Sequence, residues 1–326
     1  MRLAHRIGPP IGIGLCLLLF AAALRFEGRL SRTVDGAPGK SPTSLGGPFP
    51  RIAVGFDGER LELDGPPQAI ASQALAIDHM LFAVTAKERI VAVSTVAHNP
   101  QYSFVADVLR EMDVAVATDP EAVLQRRPDL VMLSHSARAD FEEIVRAAGI
   151  PVFRMSTAFE SFDQIAVALR IIGHVTGSDE GAEREIRRMR RRIERAKARK
   201  PPDAAPARIL PYSSYGSTLG KGSLLDHVIK ELGAINVAAE HGIGPFGTIS
   251  SEQVAAWNPD WILVGAEPGN AGGTLERLRA DPGVAVTAAG RKGNILVVET
   301  RQYISMSHHA AGLMEAIASR LYQEAP

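Results

Sequence analysis

Ten side chains in this sequence have the chemistry to bind a small molecule. Arg138 and Arg301 could each hold a carboxylate or a phenolate through two parallel hydrogen bonds. Tyrosines could stack on a flat ring or ligate iron, and imidazole nitrogens ligate metal ions. The ten candidates are His98, Tyr102, Ser134, Arg138, Ser214, Tyr215, Arg301, Tyr303, His308 and His309. These residue types indicate a binding site, and we assign no catalytic role to any of them.

A metal site and an enzyme active site are the alternatives to simple binding. A zinc or manganese carrier needs three or four converging nitrogen or oxygen ligands. His98, His135 and His308 could supply them, but the sequence has no tight cluster of His and Asp. It also has no Gly-rich dinucleotide fingerprint, no P-loop and no nucleophile elbow. We therefore predict a protein that is not an enzyme and has no resident cofactor or metal, with a zinc- or manganese-binding protein as an alternative.

One stretch of the chain occurs twice and organises the elements around these residues. Residues 119–133 and 250–264 each contain a capping residue, a Glu, a short helix, a Pro-Asp pair and an apolar strand. Pro128 and Pro259 should end the two helices, because the residue before a proline is pushed out of the α region. The apolar runs that follow have the length of buried parallel strands. The repeat predicts two similar α/β lobes.

Each copy of the repeat places a Glu at the start of its helix. Asp119 and Ser250 are good N-cap residues, and Glu121 and Glu252 follow them at the same position. An acid in the first helical turn gains roughly 0.3–1 kcal/mol from the helix dipole, which is a sufficient reason for either residue alone. Their shared position in a repeat indicates a further, paired role.

Strands alternate with helices along the rest of the chain, which predicts parallel sheets with helices on both faces. Ligands bind beyond the carboxyl ends of the strands in such sheets. In the first lobe, that rule selects residues 94–102, 134–138 and 156–157. His308 and His309 open the predicted last helix, where adjacent side chains diverge, so we expect one imidazole to face the ligand and the other to face outward.

The chain divides into five segments. Residues 1–24 have basic residues, an apolar run and a small-residue cleavage pattern, and they predict a signal peptide, with an uncleaved anchor as the alternative. The lone Cys16 lies inside this segment behind Leu15, which argues against lipidation. The remaining segments are a flexible linker (25–50), an N-terminal α/β lobe (51–158), an interlobe helix (159–205) and a C-terminal α/β lobe (206–326).

The charge of the chain argues against a nucleic-acid partner. Lys+Arg and Asp+Glu both number 36, so the formal net charge is zero. Basic residues are concentrated in 184–200, but that segment has no aromatic residue and the protein is predicted to be exported, so we do not expect nucleic-acid binding. The segment better fits the solvated face of a long helix that joins the lobes.

Several modest motifs follow one another in a specific order and spacing. They are Arg89 to Ser94, Glu121 through Pro128-Asp129, Gly233 to Asn236, and Ile249 to Glu252 through Pro259-Asp260. Through these motifs, from about residue 68 to the C-terminus, the sequence resembles the substrate-binding proteins of the ABC importers for iron complexes and cobalamin. One departure concerns the first helix, where relatives often carry a Glu and this sequence has Asp78 followed by His79.

The resemblance implies a periplasmic protein of two doubly wound α/β lobes joined by one long helix. It implies that a ferric siderophore, haem or cobalamin binds as cargo between the lobes, contacted by the ten candidates. It also implies that Glu121 and Glu252 dock the protein on an inner-membrane permease dimer with its ATPase. We expect a monomer whose rigid helix limits closure of the lobes. A free-standing tethered binding or sensor module, without a transporter, is the alternative.

Overall fold

The computed structural model describes residues 45–322. The predicted signal peptide, 1–24, and most of the predicted linker, 25–50, lie outside the described residues. Within residues 45–322, no helix is both long and apolar enough to cross a membrane.

The regular elements alternate along the chain as the sequence predicts. The strands are β1 (Arg51–Val54), β2 (Arg60–Leu63), β3 (Ile70–Ser72), β4 (Ile90–Val93), β5 (Ala115–Val116), β6 (Leu130–Ser134), β7 (Val152–Met155), β8 (Arg208–Pro211), β9 (Ser217–Thr218), β10 (Ile235–Asn236), β11 (Gly247–Thr248), β12 (Trp261–Ala266) and β13 (Ile295–Glu299). The α-helices are α1 (Leu75–Val84), α2 (Ala106–Leu109), α3 (Pro120–Gln125), α4 (Ala139–Ala147), α5 (Phe162–Thr176), α6 (Asp179–Lys197), α7 (Leu224–Glu231), α8 (Val237–Glu240), α9 (Ser251–Trp257), α10 (Ala271–Ala280), α11 (Pro282–Ala285), α12 (Ala288–Lys292), α13 (Thr300–Tyr303) and α14 (Ala310–Leu321).

Two parallel sheets form the centres of two lobes. The N-terminal sheet has the order β5-β4-β3-β6-β7 and the C-terminal sheet the order β10-β8-β12-β13. Apolar side chains from helices pack on both faces of each sheet, because strands buried on both sides need cover on both sides. The predicted α/β class with two doubly wound lobes is confirmed. An antiparallel hairpin, β1-β2, precedes the first sheet, and β9 pairs antiparallel with β11.

The sequence repeat is also a repeat of backbone geometry. The residue before each proline, Arg127 or Asn258, has a positive φ of 46° or 45°. In the first copy, the carboxylate of Asp129 accepts hydrogen bonds from the backbone N–H groups of Gln68 and Ala69, just before β3. In the second, the carboxylate of Asp260 accepts one from the N–H of Arg208 at the start of β8. Each Pro-Asp pair therefore ends a helix and fixes the amino end of the neighbouring strand.

The segment predicted as one interlobe helix, 159–205, contains two helices. The first, α5, ends at Gly177, which has a φ of 68° and closes the helix with a left-handed cap. An added Cβ at Gly177 would lie 2.9 Å from the Cβ of Pro66, so both the turn and its packing favour glycine. The chain then folds back, α6 packs against α5, and α6 alone leads into the C-terminal lobe.

The lobes share one apolar core around α6. This helix packs against α1 of the N-terminal lobe and α14 of the C-terminal lobe. Ile186, Met189 and Ile193 of α6 belong to an apolar cluster that includes side chains of both lobes. The approach is close enough that an added Cβ at Gly181 would lie 2.1 Å from the carbonyl oxygen of Val84. Such packing should couple the lobes firmly at their base.

Candidate functional site

The two lobes touch through loops at the carboxyl edges of their sheets. Gln101 follows β4, and its side-chain Nε2 donates a hydrogen bond to Oε1 of Glu267, which follows β12, over 3.2 Å. Nearby, the guanidinium of Arg301 lies 5.2 Å from the centre of the Phe104 ring. The carboxyl edges of the sheets therefore face each other across a cleft, with the lobes in contact where the β4 loop meets the β12 and β13 loops.

The sheet orders identify the other side of this cleft. In the N-terminal sheet, β6 and β7 lie on the opposite side of β3 from β4. In the C-terminal sheet, β8 and β10 lie on the opposite side of β12 from β13. Because β4 meets the β12–β13 side, the loops after β6 and β7 lie on the same side of the cleft as the loop after β8. We call this the open side of the cleft, because the contacts between Gln101 and Glu267 and between Arg301 and Phe104 lie on the other side.

Short polar side chains occupy the N-terminal lobe on the open side. Oγ of Ser134, at the end of β6, lies 2.8 Å from Oγ1 of Thr157 and 3.0 Å from Oγ of Ser136. The next residue, His135, accepts a hydrogen bond on Nδ1 from the backbone N–H of Thr157 at 3.3 Å. Its ring also lies 5.2 Å from that of Phe56 at the tip of the β1–β2 hairpin. The predicted residue Ser134 thus lies in a hydroxyl network at the strand end.

The C-terminal lobe presents a tight turn on the same side. Ser213 closes the turn with three hydrogen bonds to its own loop, and Gly216 takes a φ of 80°. An added Cβ at Gly216 would lie 2.9 Å from the carbonyl oxygen of Ile249, so the turn cannot shift easily. The turn leaves Ser214 half-buried and Tyr215 63% exposed. Both predicted residues therefore lie at the carboxyl edge of the lobe.

Histidines from both lobes meet at the base of the contact. The ring of His309 stacks on Phe104 with 4.0 Å between centres, and lies edge-on to His79 at 5.1 Å. His308 lies 4.1 Å from His309, so the expected divergence of these two imidazoles is wrong. The reason is that α14 begins only at Ala310, which leaves both histidines in the loop before the helix. We call His79, His308 and His309 the interlobe histidine cluster.

Burial keeps these imidazoles neutral. Loss of hydration lowers the pKa of His79 to about 4 and that of His308 to about 3, and it lowers that of His309 as well. Nδ1 of His308 has no hydrogen-bond partner, and its Nε2 lies 3.8 Å from Oε1 of Glu185 on α6. The cluster therefore has the character of an interlobe packing contact, which the sequence alone did not reveal.

The predicted arginines are each paired with an acid two residues away. Arg138 is exposed and forms a two-point contact with Asp140. Nε of Arg301 donates to Oε2 of Glu299 at 2.5 Å. Tyr303 is buried beside Gly265, its hydroxyl lacks a hydrogen-bond partner, and burial raises its pKa. Of these three residues, the structure brings only Arg301 to the contact between the lobes.

Two further candidates lie in the loop after β4. His98 is exposed at the end of a short 3₁₀ turn, Thr95–His98. Tyr102 is half-buried, and its backbone N–H donates to the carbonyl of Asn99 at 3.0 Å. Both lie on the side of the cleft where the lobes touch. Helix α2 begins at Ala106, and just before it the N–H of Phe104 donates to Nε2 of His79 at 3.1 Å.

The repeated glutamates lie at equivalent, exposed positions. Glu121 and Glu252 are each the second residue of a helix, α3 and α9. Each helix runs back to the strand that follows it, so its first turn lies at the carboxyl edge of the sheet. A hydrogen bond to Ser250 lowers the pKa of Glu252. Both carboxylates are therefore presented on the face of the molecule that contains the cleft.

Sequence reasoning missed several residues of this region. No motif marks Phe56, Gln101, Phe104 or Glu267, although the adjacent Asp57-Gly58 is a typical hairpin-turn dipeptide and does lie in the β1–β2 turn. Among the residues that the structure describes, no group of three or more His, Cys, Asp or Glu side chains could hold a metal ion. In particular, His308 lies buried in the interlobe cluster while His98 is exposed on a loop.

Comparisons with known proteins agree with this architecture. A cobalamin-binding protein of Halobacterium salinarum is 29% identical over 186 residues, which are 56% of this chain and 50% of that protein. The chain thus spans about half the length of the curated relatives it matches. Two solved structures superimpose well. One is the periplasmic heme-binding protein RhuT from Roseiflexus sp. RS-1, with a TM-score of 0.66, 24% identity, and coverage of 78% of this chain and 98% of that chain.

The other is the periplasmic heme-binding protein HutB of Vibrio cholerae, with a TM-score of 0.67, 21% identity, and coverage of 78% of this chain and 99% of that chain. At such identities the likeness shows the fold. A family model described as periplasmic binding protein matches residues 70–301. That match covers both lobes and the helix between them, and the chain therefore belongs to the periplasmic binding protein family.

Proposed function

We propose that the protein is the solute-binding component of an ABC importer and that it captures a flat metal chelate, cobalamin or haem, in the cleft between its lobes. The observation that carries this proposal is the asymmetry of the cleft. One side is closed by the contact between Gln101 and Glu267. The open side is bordered by polar strand ends and by the exposed ring of Tyr215. A flat ring could enter there between the two lobes.

Among iron complexes, the geometry favours a tetrapyrrole over a siderophore. Recognition of a ferric siderophore by arginines needs guanidinium groups available for carboxylates or phenolates. Arg138 and Arg301 are instead engaged with Asp140 and Glu299. The names of the similar proteins support the same class of cargo, since one is a cobalamin-binding protein and two are heme-binding proteins.

Delivery to a permease is supported by the repeated acids. Glu121 and Glu252 lie one on each lobe, at equivalent positions and on the cleft face. Two carboxylates held by firmly coupled lobes suit a pair of basic sites on a dimeric partner. Helix α6, packed against both lobes, limits the closure that a ligand can induce. We propose that the protein acts in the periplasm, without catalysing a reaction.

The experiment that tests this function uses the purified full-length protein. Its visible spectrum is recorded, and its thermal unfolding is followed with hemin, cyanocobalamin, a ferric hydroxamate siderophore or zinc. A ligand at a hundredfold excess over its dissociation constant stabilises the folded state by about 2.7 kcal/mol. A stabilising shift with hemin or cyanocobalamin supports the proposal. A shift with the siderophore or zinc alone, or with none of the four, contradicts it.

A further inference from the structure

The tip of the β1–β2 hairpin projects beside the open side of the cleft. The N–H of Phe56 donates to the carbonyl of Arg154, at the end of β7, over 2.8 Å. The guanidinium of Arg154 in turn donates to the carbonyl of His135 at 2.9 Å. Gly58 gives the tip a tight turn with a φ of 82°. The hairpin tip and the loop after β6 are therefore held together as one unit.

This unit displays an aromatic ring to solvent. Phe56 is 62% exposed, and its ring lies tilted against that of His135. A Phe ring that remains mostly in water contributes little to the stability of the fold, because only the apolar area removed from water stabilises the folded state. Single exposed apolar residues are common, so exposure alone assigns no role. The position of the ring is the more informative observation.

A second exposed ring lies on the opposite lobe. Of all the Phe, Tyr and Trp side chains between residues 45 and 322, only Phe56 and Tyr215 are more than half exposed. Phe56 borders the carboxyl edge of the N-terminal sheet beyond β6 and β7, and Tyr215 follows β8. The sheet orders place these two edges on the same side of the cleft. The two rings therefore border the open side from opposite lobes.

We propose that Phe56 is a ligand-contacting residue, the N-terminal counterpart of Tyr215, and that the two rings hold a flat conjugated macrocycle between the lobes. This assignment rests on the function proposed above and adds a contact from outside the sheet. A macrocycle against Phe56 covers the apolar ring and gains the stacking or edge-on contact that aromatic rings favour. The ring of His135, held beside Phe56, extends this aromatic surface toward the carboxyl end of β6.

The first test measures the affinity of the full-length protein for hemin and cyanocobalamin after single substitutions. Phe56→Ala should weaken binding by about tenfold, the scale of one lost aromatic contact with its buried area. Phe56→Tyr keeps the ring and should bind as the wild type does. Ile52→Ala is the matched control, because Ile52 is an exposed apolar residue of the same hairpin away from its tip.

The second test detects contact without relying on affinity. The chain has one cysteine, Cys16, so Cys16→Ser gives a background for single new thiols. In that background, Phe56→Cys should react with a maleimide at least severalfold more slowly when hemin or cyanocobalamin is bound. Ile52→Cys should react at the same rate with and without ligand.

The results distinguish a failure of the proposed function from a failure of the assignment of Phe56. If the wild type binds neither probe, the proposed function fails and the assignment of Phe56 falls with it. If the wild type binds and Phe56→Ala binds equally well, or if ligand leaves the labelling of Phe56→Cys unchanged, only the assignment of Phe56 is overturned. Equal losses in Phe56→Ala and Ile52→Ala also overturn it, because they would indicate a general effect on the hairpin.

Discussion

Gln101 and Glu267 connect the lobes across the cleft through one hydrogen bond of 3.2 Å. A charge at position 101 should therefore bias the distance between the lobes. Gln101→Glu places two carboxylates face to face and should weaken binding of hemin or cyanocobalamin, whereas Gln101→Lys should not. For partly exposed charges the difference is about 1 kcal/mol at low salt, or severalfold in affinity. Titrations at low and high ionic strength check this, since salt should remove most of the difference.

The paired acids Glu121 and Glu252 should act in delivery and not in capture. Replacing both by Lys reverses two exposed charges on the cleft face and should lower uptake in cells by about tenfold or more. The affinity of the purified protein for its cargo should not change. Glu143→Lys, on the exposed side of α4, is the matched control. Normal uptake by the double variant would refute docking through these residues and favour a free-standing binding protein.

The interlobe histidine cluster should make the protein less stable in acid. Folding depresses the pKa values of His79 and His308 to about 4 and about 3. Between about pH 6.5 and pH 4 the unfolded chain therefore binds protons that the folded chain does not, so stability falls as pH falls. The charged groups around the cluster are Glu185, Arg188, Arg192 and Arg301, and three of them would repel an imidazolium.

A neutral replacement tests this dependence. His308→Met should reduce the loss of unfolding free energy between pH 7 and pH 5 by about 1–2 kcal/mol, since each pH unit contributes about 1.4 kcal/mol per proton. Urea denaturation at the two pH values measures it. An identical pH dependence in wild type and variant would show that His308 does not titrate on unfolding in this range.

Asp78, the neighbour of His79, should have the opposite effect on the pH dependence of folding stability. It is fully buried, its Oδ1 has no partner, and burial raises its pKa to about 7. Its folded pKa exceeds the unfolded value, so the carboxyl favours folding in acid and opposes it as pH rises toward 7. Asp78→Asn should therefore raise stability at pH 8 relative to wild type by about 1 kcal/mol or more and lose that advantage by pH 5. The surface substitution Asp107→Asn should have little effect at either pH.

Close packing of α6 against α1 gives a prediction about folding stability. Gly181→Ala would place a Cβ 2.1 Å from the carbonyl oxygen of Val84, so one helix must move. We expect a loss of about 2 kcal/mol or more, as overpacking against rigid backbone produces. Gly272→Ala is the control, because it lies in α10 with open space around it and should gain about 0.5–1 kcal/mol from helix propensity. Thermal unfolding of both variants compares the two effects.

Several features of the fold followed from local signals. The repeat around Glu121 and Glu252, the capping residues and the Pro-Asp pairs predicted two similar α/β units, because these signals act through neighbouring residues alone. The dipeptide Asp57-Gly58 is likewise a local turn signal, and it lies in the turn of the β1–β2 hairpin. Gly177 and Ser178 interrupt the helical spacing of apolar residues in the sequence, but only the packing of α5 against α6 shows that the chain turns back there.

The candidate binding residues divide in the same way. Their types and their places after strands were readable from the sequence, since parallel strands present their carboxyl ends at one edge. Which loops meet across the cleft was not readable, because that depends on how one lobe is oriented against the other. His309 illustrates the difference, since contacts with His79 and Phe104 from the other lobe determine its environment.

By itself, the sequence determined the alternation of most strands and helices, their order and the paired positions of the two glutamates, because caps, breakers and apolar periodicity are encoded locally. The tertiary structure alone decided which side of the cleft is closed, which imidazoles are buried, and that Phe56 and Tyr215 border the same opening. These relationships join residues far apart in the chain, and they arise only when both sheets pack around α6.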